Sequence, residues 1–270
     1  MPAQDQAYIH GYSHSENGRL LDQANVLSEL LHRDTQFPPG SRVLEAGCGV
    51  GAQTVILAAQ SPAAQITSID ISDVSLCAAQ ARAASVAAAH VTFKQADIYR
   101  LPFPEASFDH VFVCFLLEHL TQPARALAEL RRVLTLGGSL TVIEGDHGSA
   151  YYHPASAKAQ KAIDCLIEVQ ARMGGNALIG RALFPVLRHA GFQDVRVEPR
   201  VVYADSSRPI WVEGFTKNTF IAMVKGVREQ ALAHKLMNEA DWDQGIRDLE
   251  CSAGSDGTFS YTFFKAVARK

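Results

Sequence analysis

The chain has 270 residues, a formal net charge of −3 and 47% hydrophobic residues. A chain of this length can bury roughly 70–75% of its unfolded surface, so it needs no disulfide or metal staple. The charge argues against a nucleic-acid binder that depends on phosphate contacts, because such proteins carry a basic stripe. We find no apolar run as long as a membrane span and no signal-peptide pattern at the start, and we therefore predict no membrane partner.

The cysteines are scattered along the chain and none of them stands in C-x-x-C spacing. They are Cys48, Cys77, Cys114, Cys165 and Cys251. An odd number without metal-ligand spacing favours reduced thiols over a disulfide framework. The sequence therefore predicts a cytoplasmic protein with no metal site.

The first 40 residues are predicted to form a helical cap. Aromatic and imidazole side chains are dense between residues 8 and 14, and leucine and alanine then recur at helical spacing to about residue 32. Glu16, Arg19 and Gln23 are three and four residues apart, so they share one helix face. From the residues alone, this face also fits a solvated surface with an ion pair between Glu16 and Arg19.

The segment that organises the chain is VLEAGCGVGAQT, residues 43–54. It is predicted to be a short buried strand, a glycine-rich turn and the start of a helix. Gly47, Gly49 and Gly51 allow a tight turn and a close approach of the backbone to a nucleotide-like ligand. The N-terminal end of the helix then directs its free N–H groups toward that ligand. The spacing also fits the fingerprint of dinucleotide enzymes. Glu45, however, would repel a pyrophosphate and would suit a ligand with an ammonium or sulfonium group.

Two further strands are each predicted to end at an acidic residue. The second strand, Gln65–Asp70, places Asp70 19 residues after Gly51, the spacing at which an acid binds ribose hydroxyls in a βαβ unit. A carboxylate accepts two hydrogen bonds from a cis-diol, which supports this role. The alternative is a cap for the helix that follows, and the two roles are compatible. The third strand, residues 90–97, ends at Asp97.

Candidate proton acceptors follow the next two predicted strands, residues 111–114 and 139–144. His119 and His147 come after these strands, at the edge where ligands bind in such sheets. The helix between the strands is predicted over residues 123–136 and closed by a glycine pair. Three more histidines stand near predicted loop ends, and any single one is also compatible with a structural role: His10, His14 and His153.

The remainder of the chain is predicted to combine helical insertions with closing strands. The predicted helices cover residues 149–180, 176–191 and 209–250. The predicted strands cover residues 193–202 and 258–267, and the last alternates apolar and polar residues as an antiparallel closing strand would.

Three motifs together resemble the class I S-adenosylmethionine-dependent methyltransferases. The first is E-x-G-x-G-x-G, which begins at Glu45. The second is D-I-x-x-L-P-F-P-x-x-S-F-D-x-V, which begins at Asp97 and is similar to the group that acts in ubiquinone and menaquinone biosynthesis. The third is Y-x-x-G-Y-x-x-x-E-x-x-R-L-x-x-Q-A, which begins at Tyr8 and looks like the N-terminal cap of some small-molecule members. The resemblance covers residues 42–148 well.

The resemblance implies an α/β fold with a doubly wound, seven-stranded, mostly parallel sheet. The implied strand order is 3-2-1-4-5-7-6, with the last strand antiparallel. A helical cap would occupy residues 1–40 and the cofactor-binding core residues 41–148. Residues 149–270 would add a helical lid and the strands that complete the same sheet.

The resemblance also implies S-adenosylmethionine as the cofactor and a set of contacts to it. Arg19 or Gln23 would meet its amino-acid end, Asp70 its ribose, and Asp97 the exocyclic amine of its adenine. The full set of expected cofactor contacts is Tyr8, Tyr12, Arg19, Gln23, Glu45, Gly47, Cys48, Gly49, Gly51, Thr54, Asp70, Ile71, Asp97, Ile98 and Cys114.

We expect an O- or N-methyltransferase that acts on a small metabolite. A methyl group on a sulfonium is already activated, so there is no invariant triad to search for. The candidate catalytic residues are His119, His147 and Tyr12. Four tyrosines are candidates to line the acceptor pocket, where their ring faces would attract the sulfonium: Tyr8, Tyr12, Tyr151 and Tyr152. A role in packing alone is equally compatible with each of them. The apolar C-terminal helices are compatible with a homodimer.

Three alternatives remain open at the level of sequence. A closed aromatic pocket would let the cofactor's own α-amine attack its γ-carbon, which would give azetidine-2-carboxylate and methylthioadenosine. A nicotinamide oxidoreductase is disfavoured by Glu45 and by the pair Asp97-Ile98. A non-catalytic protein that only senses S-adenosylmethionine is the third alternative.

Overall fold

A computed structural model describes residues 23–24 and 26–270 of the chain. The chain divides into two compact units. The first, here the core unit, contains residues 28–145, 179–200 and 263–270. The second, here the helical unit, contains residues 146–178 and 201–262 together with the described residues before 28. Most of the predicted N-terminal cap lies outside the described residues.

The core unit is built on five parallel strands in the order β3-β2-β1-β4-β5, followed by the antiparallel strand β8. Their bounds are β1 Arg42–Ala46, β2 Gln65–Asp70, β3 Val91–Gln95, β4 Phe108–Cys114, β5 Leu134–Gly145 and β8 Thr258–Arg269. Ala46 of β1 is level with Ile69 of β2 and with Val113 of β4. The carboxyl ends of these strands therefore reach one edge of the sheet together.

Strands β1, β4 and β5 are buried over most of their length, as expected for parallel strands covered on both faces. Leu44, Val111 and Val142 have no exposed surface. They belong to a core cluster that also includes leucines of the flanking helices. The helices with residues in the core unit are α1 (residues 26–32, of which 28–32 are in this unit), α2 Thr54–Gln60, α3 Asp73–Ser85, α4 Pro123–Val133 and α6 Leu183–His189.

The helical unit contains one short strand and a series of helices. These are β6 Tyr151–His153, α5 Ala157–Arg172, α7 Pro209–Trp211, a π-helical segment Val212–Ile221, α8 Ala222–Gly226, α9 Arg228–Ala233 and α10 Glu239–Cys251. Helix α10 approaches α5 closely at Gly245, where an added Cβ would lie 2.5 Å from the carbonyl oxygen of Lys158. Strand β6 pairs antiparallel with the first residues of β8, Tyr151 opposite Ser260.

The α/β fold and its strand order are confirmed, with one correction to the number of strands. The predicted sixth strand is β7, Gln193–Asp205, which pairs with β8, and the predicted seventh strand is β8. The prediction of seven strands was wrong because β6 adds an eighth. Three residues are too few to show an alternating pattern, and Tyr151 and His153 are both exposed, so β6 carries no hydrophobic signal.

Several predicted boundaries also need correction. The helix predicted over residues 123–136 ends at Val133, because Leu134 already pairs with Phe108 of β4. Residues 135–138 bulge out of β5 before pairing resumes at Ser139, and the glycine pair lies in this bulge and does not end a helix.

The helical predictions in the second half of the chain were too long. Residues 149–180 contain only α5 as a regular α-helix, and residues 176–191 contain a 3₁₀ turn before α6. Residues 209–250 are not one helix, since α9 and α10 are separated at Lys235, which adopts a positive φ of 55°. Among the described residues, no helix combines the length and the apolar character that crossing a bilayer requires.

Candidate active site

The glycine turn after β1 adopts backbone conformations that favour glycine at three alternate positions. Gly47, Gly49 and Gly51 have φ values of 76°, 51° and 79°. A Cβ on Gly51 would lie 2.9 Å from the Cα of Ala79, so this glycine lets α3 pack against the turn. A Cβ on Gly49 would meet no atom of the residues that the structure describes within 4 Å. The backbone at Gly49 therefore borders open space that a ligand can approach closely.

Asp70 connects the end of β2 to the glycine turn. Its Oδ2 accepts a hydrogen bond of 2.8 Å from the backbone N–H of Gly49, and its Oδ1 accepts one of 2.9 Å from Ser72. Burial raises the pKa of Asp70, while these N–H groups act against the rise. Ser72, and not Asp70, is the N-cap of α3, since its hydroxyl accepts the N–H of Ser75. Each carboxylate oxygen has a second lone pair that can accept a further hydrogen bond.

Glu45 is 2% exposed and is held inside the core unit. Its Oε2 accepts hydrogen bonds from the hydroxyls of Thr54, at 2.7 Å, and Ser68, at 2.6 Å. Its Oε1 is buried and has no hydrogen-bond partner among the residues that the structure describes. Burial raises the pKa of Glu45 to about 7, although both hydroxyls favour its charged form. A polar group that reaches Oε1 would satisfy a buried acceptor.

The residues expected around the adenine lie on elements next to the glycine turn. Asp97 is exposed, and its Oδ1 accepts the N–H of Tyr99 at 2.8 Å. Ile98 is half-buried and packs against the core cluster. Ile71 directly follows Asp70 and exposes 49% of its surface. The structure thus leaves Ile71 and Asp97 accessible.

Cys48 and Cys114 are both buried, one in the glycine turn and one at the end of β4. Burial raises the pKa of each thiol well above its ordinary value, with the carboxylates of Glu45 and its neighbours adding to the effect. Neither side chain is therefore a thiolate nucleophile at neutral pH.

A tight turn follows β4 at the same edge of the sheet. Phe115 has a positive φ of 53°, and the chain then forms a 3₁₀ turn over Leu117–His119. Within this turn, His119 Nε2 lies 3.6 Å from Glu118 Oε1, and both side chains are largely buried. Glu144, near the end of β5, accepts the backbone N–H groups of Leu116 and Leu117 through its Oε1.

His147 belongs to the helical unit and forms a buried pair with Tyr261. His147 Nδ1 lies 2.7 Å from the Tyr261 hydroxyl, and the imidazole packs edge-on against Phe220 with ring centroids 6.3 Å apart. The backbone N–H of His147 donates to the carbonyl of Ala177. The predicted position beyond β5 is therefore correct, and the side chain is buried in an aromatic cluster of the helical unit.

The other predicted residues divide between those that the structure describes and those that it does not. Gln23 is described and buried. Tyr152 is half-buried and donates to the carbonyl of Ser156, and burial raises its pKa to about 12. Tyr151 and His153 are exposed. The predicted contacts and bases that lie outside the described residues are Tyr8, His10, Tyr12, His14 and Arg19.

Sequence reasoning missed four side chains that support this site. Ser68 lies on β2 directly opposite Glu45, and its only signal was a polar residue in an apolar strand. Glu118 directly precedes His119, and Glu144 ends the strand predicted over residues 139–144, but neither position carries a sequence signal for its role. His32 is also buried, with Nε2 2.7 Å from Gln53 Oε1 beside the glycine turn, and burial lowers its pKa to about 4.

Comparison with known proteins agrees with this geometry. Residues 44–142 match the family profile described as Methyltransferase domain. The 27-O-demethylrifamycin SV methyltransferase of Amycolatopsis mediterranei is 29% identical over 227 residues, which span 83% of this chain and 77% of that protein. The demethylmenaquinone methyltransferase of Thermus thermophilus is 35% identical over 103 residues, 38% of this chain and 46% of that protein.

Other curated relatives are also matched over only part of their length. The chain spans about half the length of further relatives that it matches, 54% in one case and 53% in another.

Among solved structures, the cyclase SpnF shares the fold at a TM-score of 0.56 and 24% identity, over 93% of this chain and 81% of that one. At this identity the likeness concerns the fold alone.

Proposed function

We propose that this chain, which belongs to the class I S-adenosylmethionine-dependent methyltransferase family, transfers a methyl group to a hydroxyl or amine of a small metabolite. S-Adenosylmethionine is the cofactor of that family. The observation that carries the proposal is the hydrogen bond from the Gly49 N–H to Asp70, which joins the glycine turn to the acid at the end of β2. An acid and an accessible backbone in this arrangement suit a ribose beside a close-approaching ligand.

The residues present fit this cofactor on physical grounds. Asp70 would accept the ribose hydroxyls through its remaining lone pairs, and Asp97 would accept the adenine amine while Ile98 covers the ring. The buried Oε1 of Glu45 would accept an N–H from the amino-acid end, which satisfies an oxygen that lacks a described partner. We assign supporting contacts to the remaining members of the expected set: Gly47, Cys48, Gly49, Gly51, Thr54, Ile71 and Cys114, with Tyr8, Tyr12, Arg19 and Gln23 from the cap.

The bound cofactor supplies a methyl group on a positively charged sulfur, which is already activated for transfer. The chain must bring the acceptor in line, exclude water and take up the acceptor's proton. We propose His119 for the last role, because its imidazole lies at the carboxyl edge of the sheet beside the Glu118 carboxylate. The Glu118 carboxylate, 3.6 Å from Nε2, would stabilise the positive charge that the imidazole gains when it takes up a proton. His147 and Tyr12 remain the other candidates.

A small organic acceptor is supported by the relatives named above, whose names describe methyltransferases of demethylrifamycin SV and demethylmenaquinone. The choice between oxygen and nitrogen in this chain remains a proposal. We also propose a cytoplasmic location, which the five free cysteines support. We propose a homodimer as well, which the exposed side chain of Ile210 on α7 supports. Light scattering of the purified protein measures the oligomeric state.

Mass spectrometry separates this proposal from the alternatives. Purified protein is first incubated with S-adenosylmethionine alone, and we expect the cofactor to be bound and not consumed. The same protein is then given trideuteromethyl-labelled cofactor and an extract of small metabolites, and we expect a labelled product together with S-adenosylhomocysteine. Heat-denatured protein and the His119→Asn variant serve as controls, and the variant should lose most of the transfer.

Each alternative has its own outcome in this experiment. Methylthioadenosine formed without any acceptor would show that the cofactor is itself the substrate, as in azetidine-2-carboxylate formation. Tight binding with no turnover in either incubation would favour a protein that only senses the cofactor. The absence of any bound cofactor, with binding of a nicotinamide dinucleotide instead, would contradict the proposal outright.

A further inference from the structure

The turn after β4 is held by a single buried side chain from the neighbouring strand. Glu144 is fully buried near the end of β5, and its Oε1 accepts the N–H groups of Leu116 at 3.1 Å and Leu117 at 2.7 Å. These are backbone donors at the start of the 3₁₀ turn, which have no partner within the turn itself. Glu144 therefore acts as the cap of a turn that belongs to another strand.

The chemistry of Glu144 differs from that of an ordinary capping carboxylate. Burial raises its pKa well above the ordinary value, and the nearby charge of Glu118 adds to this, while the backbone N–H groups of residues 116–118 act in the opposite direction. Oε2 is buried and has no hydrogen-bond partner in the described part of the chain. Both N–H groups donate to Oε1, so the turn requires an acceptor oxygen at this place and not a particular charge.

The capped turn also contacts the glycine turn after β1. Gly47 has no side chain, and a Cβ added there would lie 2.8 Å from both terminal methyl carbons of Leu116. The Leu116 side chain thus fills the space beside Gly47. Because Glu144 holds the backbone N–H of the same leucine, the position of the glycine turn and the position of residues 116–119 are set together.

The same turn carries the pair Glu118–His119, to which the proposed function assigns proton uptake. A short turn with a positive φ at Phe115 has few conformations of its own, so its orientation depends on what caps it. If the cap is removed, two buried N–H groups lose their acceptor, and the turn has to rearrange to satisfy them.

We propose that Glu144 is a positioning residue, whose buried carboxyl oxygen holds residues 116–119 so that Leu116 supports the cofactor-binding glycine turn and Glu118–His119 faces the acceptor. This inference rests on the proposed function, because it takes the glycine turn to be the cofactor site. It makes two demands. The side chain at position 144 must offer an acceptor oxygen, and it does not need a charge.

Titration calorimetry with S-adenosylhomocysteine tests both demands without a known acceptor. Glu144→Ala should bind S-adenosylhomocysteine about tenfold more weakly than the wild type, because Leu116 no longer supports the glycine turn once two buried N–H groups lose their acceptor. Glu144→Gln retains an acceptor oxygen and should bind within about twofold of the wild type. Amide hydrogen exchange at Leu116 and Leu117 should accelerate in Glu144→Ala and remain slow in Glu144→Gln.

Asp109→Ala is the matched control. Asp109 also accepts a backbone N–H within the core unit, that of Arg42 at 2.9 Å, but at the amino ends of β1 and β4. This variant should leave both the affinity and the exchange at Leu116 unchanged. If Glu144→Ala does not fold, Leu116→Ala replaces it, and it should weaken S-adenosylhomocysteine binding while its own backbone N–H stays protected.

The outcomes are distinct from those of the proposed function. If the wild type binds no S-adenosylhomocysteine, the proposed function is wrong and this inference falls with it. If the wild type binds but Glu144→Ala binds equally well with unchanged exchange, only the positioning role is wrong. A loss of affinity in Glu144→Gln as large as in Glu144→Ala would overturn the inference that an acceptor oxygen is sufficient, since it would show that the charge is required.

Discussion

Two buried glutamates occupy equivalent places on the two strands that flank β4. Glu45 is the residue before the last in β1, and Glu144 is the residue before the last in β5. In each, one carboxyl oxygen accepts two hydrogen bonds and the other has no described partner. The donors differ: Glu45 is bound by the hydroxyls of Thr54 and Ser68, whereas Glu144 is bound by two backbone N–H groups.

This difference shows that burial alone does not define what a carboxyl group does. A hydroxyl can rotate, and it can donate or accept, so the surroundings of Glu45 adapt when its charge changes. A backbone N–H can only donate, and its direction is fixed by the turn to which it belongs. We therefore expect Glu144 to be intolerant of losing its oxygen, and Glu45 to tolerate a neutral replacement whose oxygen both hydroxyls can still bind.

The largest effect should follow from removal of the acceptor at position 144. Glu144→Ala leaves the N–H groups of Leu116 and Leu117 buried without a partner, and we expect the free energy of unfolding to fall by about 2–5 kcal/mol. Glu144→Gln should recover most of this loss. Urea unfolding measures both variants, and equal losses in the two would contradict the assigned role of the oxygen.

A second effect, which depends on pH, should appear at Glu45. Its pKa rises on folding from the ordinary value of 4.5 to about 7 because of burial, so the folded state holds a proton that the unfolded state releases. Glu45 therefore destabilises the fold as the pH rises from about 4.5 through about 7, by roughly 3 kcal/mol in full.

Glu45→Gln removes this titration and keeps an oxygen for both hydroxyls. We expect the variant to gain stability relative to the wild type between pH 5 and pH 8, as measured by urea unfolding at each pH. Taking the difference between the two proteins cancels the contributions of other titrating groups, such as His32. Stability curves that run parallel across this range would show that Glu45 does not titrate there.

The smallest effect should come from the hydroxyls that bind Glu45. Ser68→Ala and Thr54→Val each remove one donor and leave the other in place, so we expect a loss of about 1 kcal/mol in the free energy of unfolding at pH 8. At pH 5, where Glu45 is protonated, the loss should be smaller. A loss in Ser68→Ala as large as in Glu144→Ala would remove the distinction between the two sites.

The sequence carried a strong signal for Glu45 and little for Glu144. Glu45 precedes three glycines whose spacing has few structural meanings, so the strand, the turn and the acid at Asp70 were predictable together. The order of the parallel strands and the antiparallel closing strand were likewise predictable from the resemblance, and the structure confirms them.

The features that sequence reasoning missed depend on contacts between distant parts of the chain. From the sequence, Glu144 is only the end of an apolar strand, because its hydrogen bond joins a turn 27 residues earlier in the chain. The glycine pair at 137–138 fits a helix stop as well as a bulge, and only the pairing of Leu134 with Phe108 decides between them. Strand β6 was not predictable, because three residues are too few to show a period.

The measurement that tests the account most directly is calorimetric titration of S-adenosylhomocysteine into the wild type and Asp70→Ala. Asp70 is the residue on which the placement of the ribose depends. We predict saturable binding by the wild type and binding weaker by about 1–3 kcal/mol in the variant, because hydrogen bonds to a charged group are lost. Unchanged affinity in Asp70→Ala would contradict the placement of the ribose, and no binding by the wild type would contradict the central claim itself.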